Sequence, residues 1–176
     1  MKKTHAGWMI AAVMTLVAWN PWTASAQAIC DDPVGVNLIA GQHHDAGDVL
    51  VGNDDEFLFI VFLTQDGWGL KETHVSVGAG LSDIPQTKTG NPQVGRFEYK
   101  SAHSGETMYV YVIPLETLGF EEEDCGVVAA HAVVEKVVNG AVVQRETGWG
   151  QGENFPGRNW AMYFPFCVEE CSEGEG

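Results

Sequence analysis

His43, His44, Asp45 and Asp48 fall within one short span and combine imidazoles with carboxylates, the ligand types shared by zinc and copper sites. Adjacent side chains on a strand point to opposite faces, so His43 and His44 reach one ion only from a loop, which Gly41 and Gly47 favour. A solvated loop is the plainer reading of the same residues. Asp45, Asp48, Asn53, Asp54, Asp55 and Glu56 add the hard oxygens that calcium prefers, although their spacing does not match an EF-hand loop. Calcium, held weakly as in extracellular modules, is the cofactor these acids suggest.

Two further histidines lie in strand-like runs. His74 shares a face with Glu72, and His131 shares one with Val127, Ala129 and Val133. Glu72, His74 and His131 make a metal or acid-base site only if their strands are neighbours. Otherwise His131 is a core histidine hydrogen-bonded to backbone. No G-x-S-x-G elbow and no H-E-x-x-H zinc motif occurs, so neither a serine hydrolase nor a compact zinc protease is indicated. Trp68, Trp149 and Trp160, with Tyr99, Tyr109, Tyr111 and Tyr163, offer either a stacking surface for sugars or core packing. Between Gly148 and Asn159, four glycines alternate with Trp149, Asn154, Phe155 and Asn159, which marks these four as the candidate ligand-binding residues of a flexible loop.

The elements that must carry these residues read as strands. Alternating, β-branched and aromatic runs recur between Gly, Asn, Asp and Pro, and no useful stretch repeats at helical spacing. The expected fold is all-β: a single antiparallel β-sandwich of about eight strands over residues 27–168, immunoglobulin-like or jelly-roll in its connections. FLFIVFLT from Phe57 to Thr64 is apolar on both faces and fits a central strand covered on both sides. Arg96–Lys100 and Thr107–Ile113 are expected to pair around Ser104-Gly105. Asn139-Gly140 is a type I′ hairpin signal between Val127–Val138 and Ala141–Glu146. Leu115–Asp124 is acidic with room for one helical turn, and residues 169–176 form an acidic tail.

Lys2 and Lys3 precede an apolar run from Met9 to Ala18 and an Ala24-Ser25-Ala26 exit, so residues 1–26 read as a secretory signal peptide cleaved after Ala26. The run is shorter than the ~20 residues that cross a bilayer, and Asn20-Pro21 breaks it. The leader holds both lysines and no acid, so its removal takes the net charge from −15 to −17. Such a surface disfavours nucleic acid and anionic membrane as partners. Cys30, Cys125, Cys167 and Cys171 then meet an oxidising compartment, where two disulfides are expected among three possible pairings. A metal site on Cys167 and Cys171 lacks a neighbouring thiol or imidazole.

TQDGWGLKETHVSVG, then CGVVAAHAVV, then ETGWGQGENFPGRNWAMYFPF, in that order, resemble a β domain that recurs in secreted and cell-surface proteins of bacteria. The resemblance covers roughly Ala40 to Phe166, and the closing W-G-x-G…F-x-G-x-N-W-A-M-Y-F pattern is its most specific part. It implies an exported β domain and transfers no catalytic residue. The expectation is therefore a non-enzymatic binding or structural module that meets itself, another exported surface protein or polysaccharide. A secreted metal-dependent enzyme using His and acidic residues, or a carbohydrate-binding module, is the alternative.

Overall fold

A computed structural model describes residues Cys30 to Cys171; the expected signal peptide and the acidic tail beyond Cys171 lie outside the described residues. Ten strands follow in order: β1 (Cys30–Ala40), β2 (His44–Asn53), β3 (Phe57–Thr64), β4 (Trp68–Gly78), β5 (Tyr99–Ala102), β6 (Met108–Pro114), β7 (Cys125–Val138), β8 (Ala141–Gly150), β9 (Glu153–Asn154) and β10 (Met162–Cys167). One helical turn, α1 (Leu115–Leu118), follows β6. All pairings are antiparallel, and eight strands form one path in the order β5-β4-β7-β8-β1-β2-β3-β6. β10 joins the first half of β7, where β8 has not yet begun to pair.

The all-β class is as expected, but the architecture is barrel-like rather than a clear two-layer sandwich. Register shifts within the β1–β2, β4–β7 and β7–β8 pairs bend the long strands. Such irregularities increase local twist, and the sheet rolls until it nearly closes, with Tyr99 of β5 and Tyr111 of β6 meeting across the gap between its ends. No ladder joins those ends. Side chains close the seam instead: the Tyr99 and Tyr111 rings lie 6.3 Å apart, and the Tyr111 hydroxyl donates to the Thr73 carbonyl at 3.1 Å.

Alternation fills the barrel. Leu38, Val49, Val51, Leu58, Ile60, Phe62, Leu70, Ile113, Val128, Ala130, Ala132 and Val134 point inward and are buried. A second core forms outside the barrel wall, where Ile84, Phe97, Phe155 and Ala161 from the connecting segments pack on Ala129 and Trp149. The Asn139-Gly140 turn has φ of 51° and 78°, as a tight hairpin requires. Gly47, at φ 140°, lets β2 pass β3; a Cβ there would run into the Leu63 carbonyl oxygen.

One expected pairing changes, and so does the burial of β3. β5 and β6 are not a hairpin: β5 pairs with β4 and β6 with β3. The segment between them crosses the seam, with Gly105 N donating to Leu70 O and Leu70 N to Glu106 O, both at 2.9 Å. β3 does have neighbours on both sides, but only one of its faces is covered. Leu58, Ile60 and Phe62 are buried, while Phe57, Phe59, Val61 and Leu63 remain half-exposed.

The disulfides are Cys30–Cys171 and Cys125–Cys167. Cys167 and Cys171 thus belong to different bridges, which removes them as metal ligands.

Candidate functional site

β2 separates the two halves of the acidic stretch. His44 starts the strand and Asn53 ends it, so ten residues in extended form set them roughly 30 Å apart. His43, His44, Asp45 and Asp48 lie at or near the first end, and Asp54 and Asp55 follow the second, so no single ion can use both sets. At the first end Asp45 Oδ1 accepts from Gly47 N at 3.1 Å and Gln65 Nε2 at 3.2 Å, and the His44 ring sits 6.0 Å from that of Trp68. At the second, Asp54 Oδ1 accepts from Glu56 N and Phe57 N at 2.9 and 2.7 Å, closing the turn into β3.

Asp54, Asp55 and Glu56 line a cleft of about 870 Å³ with Glu116, Glu121, Glu122 and Glu169. Asn53 fastens the C-terminal segment beside it, exchanging two 2.9 Å hydrogen bonds with the Glu169 backbone. Among the described residues, the one place where three ligating side chains approach within 4.8 Å of one another is Cys30, Cys171 and Asp55. Its two sulfurs are bonded to each other and offer no thiolate.

The expected recognition loop is mostly not a loop. Gly148–Gly150 ends β8, and Glu153-Asn154 pairs with β10. Trp149, at 5% exposure, and Phe155 are buried in the second core, while Asn154 and Asn159 stay exposed. Trp149 and Phe155 therefore pack rather than present their rings, because the 79–98 and 150–161 segments fold over the outer side of β4, β7 and β8. Asn91 ties those segments together: its Oδ1 accepts from Arg158 N at 2.9 Å and Asn159 N at 3.2 Å. Trp68 and Tyr111 fill the barrel, so the aromatics form no common stacking plane.

The condition attached to His74 and His131 is met. The two residues are direct cross-strand partners of β4 and β7, and their rings lie 5.5 Å apart. Trp149 of β8 faces His131 at 4.8 Å. His131 is not hydrogen-bonded to backbone as a core histidine should be. Its Nδ1, like His74 Nδ1 and Ser76 Oγ on the same outer face, is buried without a partner. Burial, with His74 alongside, pushes the His131 pKa down to about 3. Burial also lowers that of His74, which Glu72 partly restores and Lys100 opposes. A small cavity of about 230 Å³ opens beside His74 between Glu72, Lys100, Ser101 and Ala102.

A different surface occupies the far side of the sheet. On β6 the outward residues Met108 and Val112 are 58% and 54% exposed, and Val110 lies between them. They pair with Leu63, Phe59 and Val61 of β3, giving a continuous apolar face. β6 ends the sheet, and the edge turned away from β3 makes no backbone hydrogen bond to another strand among the described residues. Asp55 and Glu56 precede β3, Glu106 precedes β6 and Glu116 follows it. The seven described cations, Lys71, Lys88, Arg96, Lys100, Lys136, Arg145 and Arg158, all lie elsewhere, so β1, β2, β3 and β6 carry no Lys or Arg. Residue-by-residue reading missed this face. Its signal was there in two doubly apolar strands, FLFIVFLT and MYVYVIP, with no charge in either.

Comparison with protein-family models, curated proteins and solved structures returns no match. The site stands on its own geometry.

Proposed function

We propose that the protein is an exported, non-enzymatic binding module that docks another exported protein on the β3–β6 face. The observation that carries this reading is the exposed Met108, Val110 and Val112 on the terminal strand β6 in an otherwise acidic molecule. Contiguous apolar surface rimmed by polar groups marks interaction sites. The acids at both ends of the pair favour a partner whose own apolar patch is bordered by Lys or Arg. Two disulfides, the leader and the resemblance to exported bacterial β domains support the compartment.

A synthetic strand peptide alternating Val with Lys tests the chemistry, titrated into isotope-labelled protein beside a Val/Glu control. The expected result is saturable shifts on β3 and β6 for the Val/Lys peptide alone, weakened about tenfold or more by Val112→Asp. Shifts confined to other strands, or equal binding by the variant, would overturn the reading. Sedimentation of the free protein separates one remaining outcome: a dimer abolished by Val112→Asp would make a second copy the occupant.

A further inference from the structure

We infer that His74 and His131 form a two-imidazole clamp for a first-row divalent transition metal such as Zn²⁺ or Cu²⁺, on the outer face of β4 and β7. This site is independent of the β3–β6 face.

Direct cross-strand partners hold their Cβ atoms about 4.5–5.5 Å apart, which suits two short-armed ligands converging on one ion. With metal–nitrogen bonds of about 2.0–2.1 Å and a tetrahedral angle at the ion, two ligating imidazoles place their centroids roughly 5.2 Å apart. The observed separation is 5.5 Å. The preorganisation comes from the sheet: β4 and β7 pair over ten positions, and the T-shaped contact with Trp149 limits rotation of the His131 ring.

The second observation is the state of the nitrogens. His131 is buried, yet its Nδ1 has no hydrogen-bond partner, and neither has His74 Nδ1. A buried polar atom left unpaired is destabilising, so a bound group that satisfies both is favoured. With the imidazole proton on Nε2, each Nδ1 offers the lone pair that an ion requires. Imidazole ligands select zinc, copper and nickel over calcium or magnesium. Ser76, whose hydroxyl is the third unpartnered atom, and Glu72 lie one strand pleat to either side of His74. Glu72 is exposed and, with His74 and Lys100, lines a cavity on the β5 side of His74, opposite His131. No reaction step is assigned to the ion.

The test uses tag-free mature protein with both disulfides intact. Calorimetric titration with Zn²⁺ should give one equivalent per chain. With Cu²⁺, pulsed electron paramagnetic resonance should count two imidazoles. His74→Ala, at a half-exposed position, should lose the binding heat while retaining the wild-type melt. His131→Leu should lose it too, and if that variant fails to fold, His74→Ala decides alone. The double variant His43→Ala/His44→Ala should bind as the wild type does. Binding that survives His74→Ala and vanishes in the double variant would overturn the clamp and move the ion to the β1–β2 turn. Absence of stoichiometric binding by either ion would overturn it as well, leaving the three atoms to ordered water.

Discussion

The two outer faces of this sheet differ in one respect that decides their chemistry. Over β4, β7 and β8 the chain returns and lays down a second core, which buries Trp149, Phe155 and Ala129 beside the buried His131 imidazole. Over β3 and β6 no other described segment returns, and side chains of similar apolarity are exposed or half-exposed. The same alternation therefore yields a packed interior on one side and a solvent-facing apolar surface on the other. The long connections decide which is which.

The sharpest break of that comparison is Trp149→Ala. If the second core is structural, the variant should lose about 3–5 kcal/mol in urea denaturation. A loss under about 1 kcal/mol would mean that the covering segments stabilise nothing and that the two faces are equivalent.

Acid probes the same covered face. His131 titrates near 3 when folded and near its ordinary 6.5 when unfolded. The unfolded chain therefore binds the extra proton between those values, and stability falls as pH drops through that window. His74 faces it from β4 and Trp149 from β8, with Glu72 and Lys100 beyond His74. With chelator present, melting from pH 7 to 5 should show a loss of about 2 kcal/mol, and His131→Asn should flatten the slope. An unchanged slope would show that the ring is solvated.

Asn91→Ala removes the clasp on Arg158 N and Asn159 N and should cost about 1–2 kcal/mol. Hydrogen exchange should quicken in residues 150–161 but not in β3. At the small end, Val112→Lys on the open face should shift stability by less than about 0.5 kcal/mol, read from the same melts. A large loss there would mean that the β3–β6 face is packed in solution.

Much of the strand order in sequence was legible, because turn residues punctuate it: β3 begins and ends where FLFIVFLT does, and Asn139-Gly140 makes its hairpin. What failed was long-range. A strand apolar on both faces says that each face avoids charge, not whether protein or solvent lies against it, so β3 read as covered. Ser104-Gly105 looked like a hairpin turn because local composition cannot reveal that Leu70 accepts from Gly105 across the seam. At the candidate sites the His74–His131 condition was stated correctly from face alternation, but their opposition depended on a register shift between Leu70 and Glu72 that no residue type announces. Trp149 and Phe155 were placed on a loop because glycines surround them. Their burial follows from segments more than fifty residues away in sequence, around Ile84 and Phe97.

The Cys30–Cys171 bridge joins residues 141 positions apart. A tension applied through the chain on either side of that bond passes directly from one sulfur to the other and bypasses every strand between them. Reduction of both bridges would place the whole fold in series with the load and release roughly 470–510 Å of contour. Oxidised, the domain is an inextensible link whose folded body carries no mechanical strain.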